Sequence, residues 1–319
     1  MSSRPVIGVD AGGTKLLAGV LQWDDADLSV DHRVRRLWSG GDRAEVLGVM
    51  VEAVSEARSA AGSVAAVGFG IPSLLDFARG FSVSSVHLPL AGVAFRDEME
   101  GRLALPVFVD NDANLAALAE QRIGAARGFR DVVMLTLGTG IGSGIVLDGR
   151  VFRGATGAGA EIGHMTIDLH GPPCPCGNRG CLEMLASGAA IGRLGTDAGL
   201  RDPGSGLGRA VGQRGLVTGE EVTALAVQGD EAACSVMGAA GRSLGAGIAS
   251  VVNVFEPEVV VIGGGASAAG DLLLDPAREV VASRALRPSR DSVRIVAAAL
   301  GEEAGMVGAG LFALAGGEA

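Results

Sequence analysis

The chain has 319 residues, 48% hydrophobic and 19% charged, with a formal net charge of −10. That length can bury the core of one large or two medium domains, and that composition excludes disorder. The acidic balance argues against non-specific nucleic-acid or anionic-membrane partners, so an anionic substrate needs a local cradle.

The first apolar run, "PVIGV", stops at Asp10 and is too short for a secretory signal, which makes the cytoplasm the expected compartment. "PVIGVDAGGTKLLAGVLQ" reads as strand, glycine turn, strand. "DRAEVLGVMVEAVSEARSAAG" places apolar side chains at 46, 47, 50, 51 and 54, a helical stripe, with Asp42 and Glu45 as its capping pair. "VAAVGFG" is a buried strand, "FRDEMEGRLA" a helix, "PVFVD" a strand and "NDANLAALAEQRIGAA" a helix. "DVVMLTLGTGIGSGIVLDGRV" repeats the opening hairpin, which suggests two halves of related architecture.

"GLRDPGSGLGRAVGQRG" is the loosest stretch and is expected to be a surface insertion between helices. "AACSVMGAAGRSLGAGIASVVNVF" carries Arg242 mid-span and many small residues; it reads as a buried helix packed through its glycines, not a membrane span. "EVVVIGGG" is a strand meeting glycines, followed by a helix from about Asp271. Strands alternating with helices make an α/β protein with helix-covered sheets.

Three glycine-rich turns follow apolar strands: "DAGGTK", "LGTGIGSG" and "IGGGAS". Glycines let backbone N–H groups approach phosphate oxygens, and threonine hydroxyls add donors. The phosphate-binding candidates are therefore Gly12, Gly13, Thr14 and Lys15, then Gly138, Thr139, Gly140 and Gly142, then Gly263, Gly264 and Gly265. Lys15 is the only lysine in the chain. Asp10, at the first strand's end, can hold Mg²⁺ directly or through water. None of the turns has the GK[ST] of a Walker loop.

"GPPCPCGNRGCLE" holds Cys174, Cys176 and Cys181, and His164 lies ten residues upstream. Three clustered cysteines cannot all pair with one another, and Cys234 falls in the apolar helix. In a reducing compartment such clusters more often bind metal than form disulfides. Three thiolates and one imidazole complete a tetrahedral zinc site, with Gly and Pro supplying the tight turns. Four protein ligands leave no open position, so the zinc is structural.

"DAGGTK", "NDAN", "EIGH" and "CPCGNRGCLE" together resemble, in order and spacing, the sugar kinases of the ROK (repressor, open reading frame, kinase) family within the actin-like ATPase superfamily. The resemblance implies a two-domain, ribonuclease H-like α/β fold with a central cleft. Its small domain would span 1–112 joined by a C-terminal helix at 303–319, and its large domain 113–302 with the zinc motif. It implies ATP as donor, with Mg²⁺, its phosphates on the first two turns and its adenosine by the third. The acceptor it implies is a hexose, glucose first. N-acetylmannosamine, N-acetylglucosamine and fructose are alternatives, and the C-x-C-G-x-x-G-C-x-E form favours glucose or N-acetylhexosamines over fructose. A homodimer or higher homo-oligomer is also implied.

Phosphoryl transfer to a hydroxyl needs alignment, charge neutralisation and a proton acceptor. Asp110 and Asp112 both stand where a strand ends and a helix opens, and spacing alone does not separate them. The family pattern gives the base to Asp112, whose alternative role is a helix N-cap. By resemblance, Asn111, Glu161, His164 and Glu183 contact the sugar, and the backbone of "GFGIPSLLD", including Gly70, lies near it. Zinc would fix one histidine nitrogen and leave the other as a donor, so the metal locks the loop that aims these groups. Two departures stand out. Ser73 replaces a common glycine, and His87 in "HLPLAG" replaces the usual asparagine and is expected on a surface loop. Repressors of the family carry a helix-turn-helix unit before the first turn; only "MSSR" precedes the first strand here.

Overall fold

The structure, a computed structural model, describes residues 4–24, 27–38 and 41–318. In chain order the elements begin with β1 (Val6–Ala11), β2 (Lys15–Asp24), β3 (Asp27–Leu37), α1 (Arg43–Ala61) and β4 (Val67–Ile71). Next come β5 (Ser73–Asp76), β6 (Phe81–Ser85), α2 (Phe95–Leu103), β7 (Val107–Asn111) and α3 (Asp112–Ile123). Then follow β8 (Val132–Leu137), β9 (Ile141–Leu147), β10 (Arg150–Val151), α4 (Glu183–Ala186), α5 (Gly188–Arg201), α6 (Gly206–Arg214) and α7 (Gly219–Val227). The chain finishes with α8 (Glu231–Phe255), β11 (Val259–Gly263), α9 (Asp271–Arg284), α10 (Ser289–Ser292), β12 (Arg294–Ala297) and α11 (Ala304–Leu314).

Two five-stranded sheets share one plan. The first has the order β3-β2-β1-β4-β7 and the second β10-β9-β8-β11-β12. In the first, β2 and β3 pair antiparallel while β4 and β7 add in parallel to β1. In the second, β8, β11 and β12 run parallel. β4 and β11 are buried at every position, as strands covered on both faces must be. The expected repeat of a hairpin-led half is therefore present.

The chain divides into two compact units. One comprises Met1–Arg130, Gly144–Ala160 and Leu300–Ala319; the other comprises Asp131–Ser143 and Glu161–Ala299. All of α3 packs in the first unit, on the far side of the limit at 112 read from sequence.

In the first unit, α11 lies across β1, β4 and α3 at backbone contact. A Cβ at Gly68 would stand 1.9 Å from Ala309 O, one at Gly8 2.1 Å from Met306 O, and one at Gly308 1.8 Å from Leu115 O. Only glycine allows approaches this close. In the second unit α8 is the expected buried helix. Its Gly241 and Gly245 admit the α9 carbonyls of Leu273 and Ala277, which a Cβ would meet at 2.4 and 2.5 Å. Among the described residues, no helix is long and apolar enough to cross a membrane.

The capping pair on α1 forms as read, with Asp42 accepting from Glu45 N at 2.9 Å. The stretch expected as an insertion does not form one loop. Its centre is α6, capped by Ser205, which accepts from Gly208 N at 2.9 Å, and closed by Gly215 at φ +82°. Its Gly and Pro content imitates a loop, but these caps and the burial of Leu207 and Val211 hold it helical.

Candidate active site and metal centre

In the first unit, Asp10, Gly70 and Asp110 are register partners across β1, β4 and β7. The three strands thus end together, and α3 begins at the same edge. Gly70 leaves room for that helix: a Cβ there would lie 3.3 Å from Asp112 Cα.

The two candidate carboxylates have different surroundings. Asp110 is buried, and Arg153 donates to its Oδ2 through Nε at 2.7 Å, with Nη2 at ion-pair distance, 2.7 Å, from the same oxygen. It also accepts from Asn111 N at 2.7 Å and Asn114 Nδ2 at 3.1 Å. Burial pushes its carboxyl up and Arg153 pulls it back. A carboxylate holding three donors and a buried ion pair is structural.

Asp112 carries a lighter load, accepting from Ala113 N at 2.9 Å. Burial raises its pKa, opposed by the backbone N–H groups and by the charge of His87. The cap of α3 is Asn111, whose Oδ1 takes Ala113 N at 2.9 Å and Asn114 N at 3.3 Å. The capping role weighed for Asp112 thus falls chiefly to its neighbour. Asn111 keeps its amide nitrogen for other work, with Ser73 O at 3.5 Å. Ser73 sits in β5, outside the left-handed region, so its Cβ is no obstacle; its buried hydroxyl has no hydrogen-bond partner among the described residues.

Asp10 faces the same edge. Its pKa is raised to about 7, first by burial and then by the charge of Asp112, with Lys15 pulling it down. Two carboxylates repelling each other beside a glycine turn suit a divalent cation. Lys15 Nζ lies 2.7 Å from Glu302 Oε2, which holds the lysine beside the turn.

Two residues of this region were missed or misplaced by sequence reasoning. Trp38 clips the first turn, its indole N–H donating to Gly12 O at 3.0 Å and its backbone N to Thr14 O at 3.2 Å. No local signal marks it, because the contact depends on β3 folding back beside β2. His87 is exposed, yet it is not remote from the chemistry. A Cβ at Gly13 would stand 3.0 Å from its Cβ, and its charge acts on Asp112.

The second unit gathers the other candidates. The turn after β8 (Gly138, Thr139, Gly140, Gly142) lies at the N-terminus of α5, where Gly188 N donates to Gly138 O at 2.8 Å. The turn after β11 lies beside it: Gly264, at φ +83°, approaches Leu137 so closely that a Cβ would be 2.5 Å away. Gly263 and Gly265 flank that contact. Glu183 opens α4 and accepts from Ile141 N at 2.9 Å, with its carboxylate against Gly140. One of its oxygens thus serves the glycine turn. Glu161 is exposed, and Ile162 N donates to Ser143 Oγ at 3.1 Å. Gly163 of "EIGH" admits Ile141 O, which a Cβ would meet at 2.3 Å.

The metal ligands converge. One donor atom each from His164, Cys174, Cys176 and Cys181 lies within 4.8 Å of all the others. Cys176 and Cys181 sulfurs are 3.7 Å apart, and Cys174 Sγ is 3.7 Å from His164 Nδ1. Tetrahedral zinc with bonds of about 2.3 Å spaces its sulfurs about 3.8 Å apart, so the cluster fits the ion. Burial and the neighbouring thiols push Cys181 up to about 12. The histidine nitrogen turned toward the thiols is Nδ1. Cys234 stays apart, its thiol donating to Ala226 O at 3.4 Å.

These motifs sit on a matching sequence pattern. Residues 6–316 match the pattern of the ROK family. The chain belongs to the ROK family. It is 34% identical to a glucokinase of Halalkalibacterium halodurans over 313 residues, which is 97% of this chain and 95% of that protein. The crystal structure of a ROK glucokinase from Streptomyces griseus, in complex with glucose and AMPPNP, superposes with a TM-score of 0.85 at 33% identity, covering 97% and 98% of the two chains. A repressor branch is similar too: a putative xylose repressor of a Caldicellulosiruptor species is 34% identical over 268 residues, 82% of this chain and 65% of that one. The chain's ROK fold is the two-domain α/β fold of sugar kinases.

Proposed function

We propose that this chain phosphorylates a hexose with ATP, and that the hexose is glucose. The observation that carries the reading is the division of labour in "NDAN". Asp110 is consumed by Arg153 and two amide donors, whereas Asp112, its pKa raised by burial like that of Asp110, has an oxygen to spare. A carboxylate with a raised pKa at a strand-helix junction can accept a hydroxyl proton as the phosphoryl group arrives. The similarity to glucokinases over nearly the whole chain supports the substrate.

In this reading the glycine turns at 12–14 and 138–142 take phosphate oxygens, and the turn at 263–265 takes the adenosine. Lys15 offers a positive charge to the phosphates, and Asp10 would hold the Mg²⁺ that accompanies ATP. That ion supplies charge neutralisation at the phosphates. The sugar would be held by Asn111 and the Gly70 backbone, and by Glu161, Glu183 and His164. With Nδ1 on the zinc, His164 presents Nε2–H as a fixed donor. A homodimer goes with the family resemblance, and light scattering would test it.

The deciding experiment is a coupled ATP assay over glucose, N-acetylglucosamine, N-acetylmannosamine and fructose. Glucose should give the highest kcat/KM. A higher value for an N-acetyl sugar would reassign the substrate within the kinases. No ATP consumption with any sugar, with sugar binding retained, would favour the repressor branch.

A further inference from the structure

A cavity of about 600 Å³ opens on the first unit, lined by Arg122, Arg130, Arg150 and Arg153 with Asp148 and Glu318. Four guanidiniums in one pocket are unexpected on a chain of net charge −10. Two of them have partners that neutralise them. Arg130 pairs with Asp148, and Arg153 with Asp110. Arg122, in the last turn of α3, and Arg150, in β10, are exposed and make no ion pair among the described residues. Glu318 is the remaining carboxylate of the wall, so the unmatched charge is positive.

The inner wall is rigid. Arg153 is mostly buried, with its guanidinium carbon 3.9 Å from the centre of the Phe77 ring and 5.5 Å from that of Phe312. Clamped between those rings and Asp110, it is a fixed positive charge at the base of the pocket.

We propose that this pocket is a binding site for a phosphate monoester, separate from the phosphate turns. Two unpaired guanidiniums outweigh the one remaining carboxylate, Glu318, and their forked donors suit phosphate oxygens. The volume exceeds a lone phosphate and leaves room for an organic body of about sugar size. Such a ligand reaches Arg153, the residue that holds Asp110 two positions before Asp112. The site stands on its own geometry, while its test rests on the glucose reading proposed above.

Calorimetry on the full chain with saturating glucose and no ATP tests it. Inorganic phosphate and glucose 6-phosphate are titrated separately, glucose keeping the ester out of the sugar site. At least one should bind. Arg122→Ala/Arg150→Ala should weaken that binding about tenfold or more, while Lys15→Ala, which strips the first turn of its charge, should leave it unchanged. Ester tighter than free phosphate names the ester as occupant; equal affinity names phosphate itself, and either supports the site. Glucose phosphorylation by the double variant, within about twofold of wild type, shows that it is folded. Binding unaltered in the double variant, lost in Lys15→Ala, or absent in wild type overturns the proposal.

Discussion

At the scale of single residues, two aspartates two positions apart, one on either side of Asn111, should respond to the same substitution in opposite ways. Asp112→Asn should lower kcat by about 10²–10⁴-fold with little change in glucose affinity, because it removes only the proton acceptor. It should also stabilise the unliganded protein at pH 8. The folded pKa of Asp112 lies above the ordinary 3.8, so its ionised form costs stability at every pH above that raised value. The cost fades as pH falls through the folded pKa and is gone below the unfolded one. The Tm advantage of the variant should therefore shrink on acidification and close near pH 3.8. An advantage that grows on acidification would contradict the assignment. Asp110→Asn should instead lower stability by about 3 kcal/mol or more, since the buried Arg153 loses its charge partner. Chemical denaturation of the two variants side by side separates the roles.

At the scale of elements, the zinc knuckle and the glycine seams carry the next expectations. Metal analysis should find one zinc per chain; Cys176→Ser should lose it, and Cys234→Ser should keep it. Stoichiometric zinc in Cys176→Ser would break the four-ligand reading. Gly308→Ala should destabilise by about 1–3 kcal/mol or more, because its methyl group would enter the space of Leu115 O. Gly212→Ala, in α6 with nothing within 4 Å, should stabilise by about 0.5–1 kcal/mol. The contrast also shows what could be read in advance. The α1 stripe, the apolar strands and the glycine-packed α8 follow from periodicity and residue size, which are local. The helix α6 was hidden because five glycines and a proline between 200 and 215 look like turn chemistry, whereas its caps and buried face decide. The convergence of the three cysteines was legible from spacing because they fall within eight residues. Trp38 and His87 were not, since each meets the first glycine turn only after distant strands fold together.

At the scale of the whole molecule, the doubled sheet plan was visible in the repeated hairpins, while the threading of the chain was less so. Asp110 and Asp112 occupy equivalent places in sequence, and what separates them is tertiary: Arg153 and Asn114 reach only Asp110. The first unit is assembled from three stretches of chain, the last beginning at Leu300. Its covering helix α11 therefore leaves the ribosome after every surface on which it lies. At roughly 5–20 residues per second, β1 and β4 wait on the order of ten seconds or more for that cover. During synthesis the nascent first unit presents a glycine-lined apolar face with nothing upon it. A transcript broken before codon 304 would yield a chain in which that face is never closed.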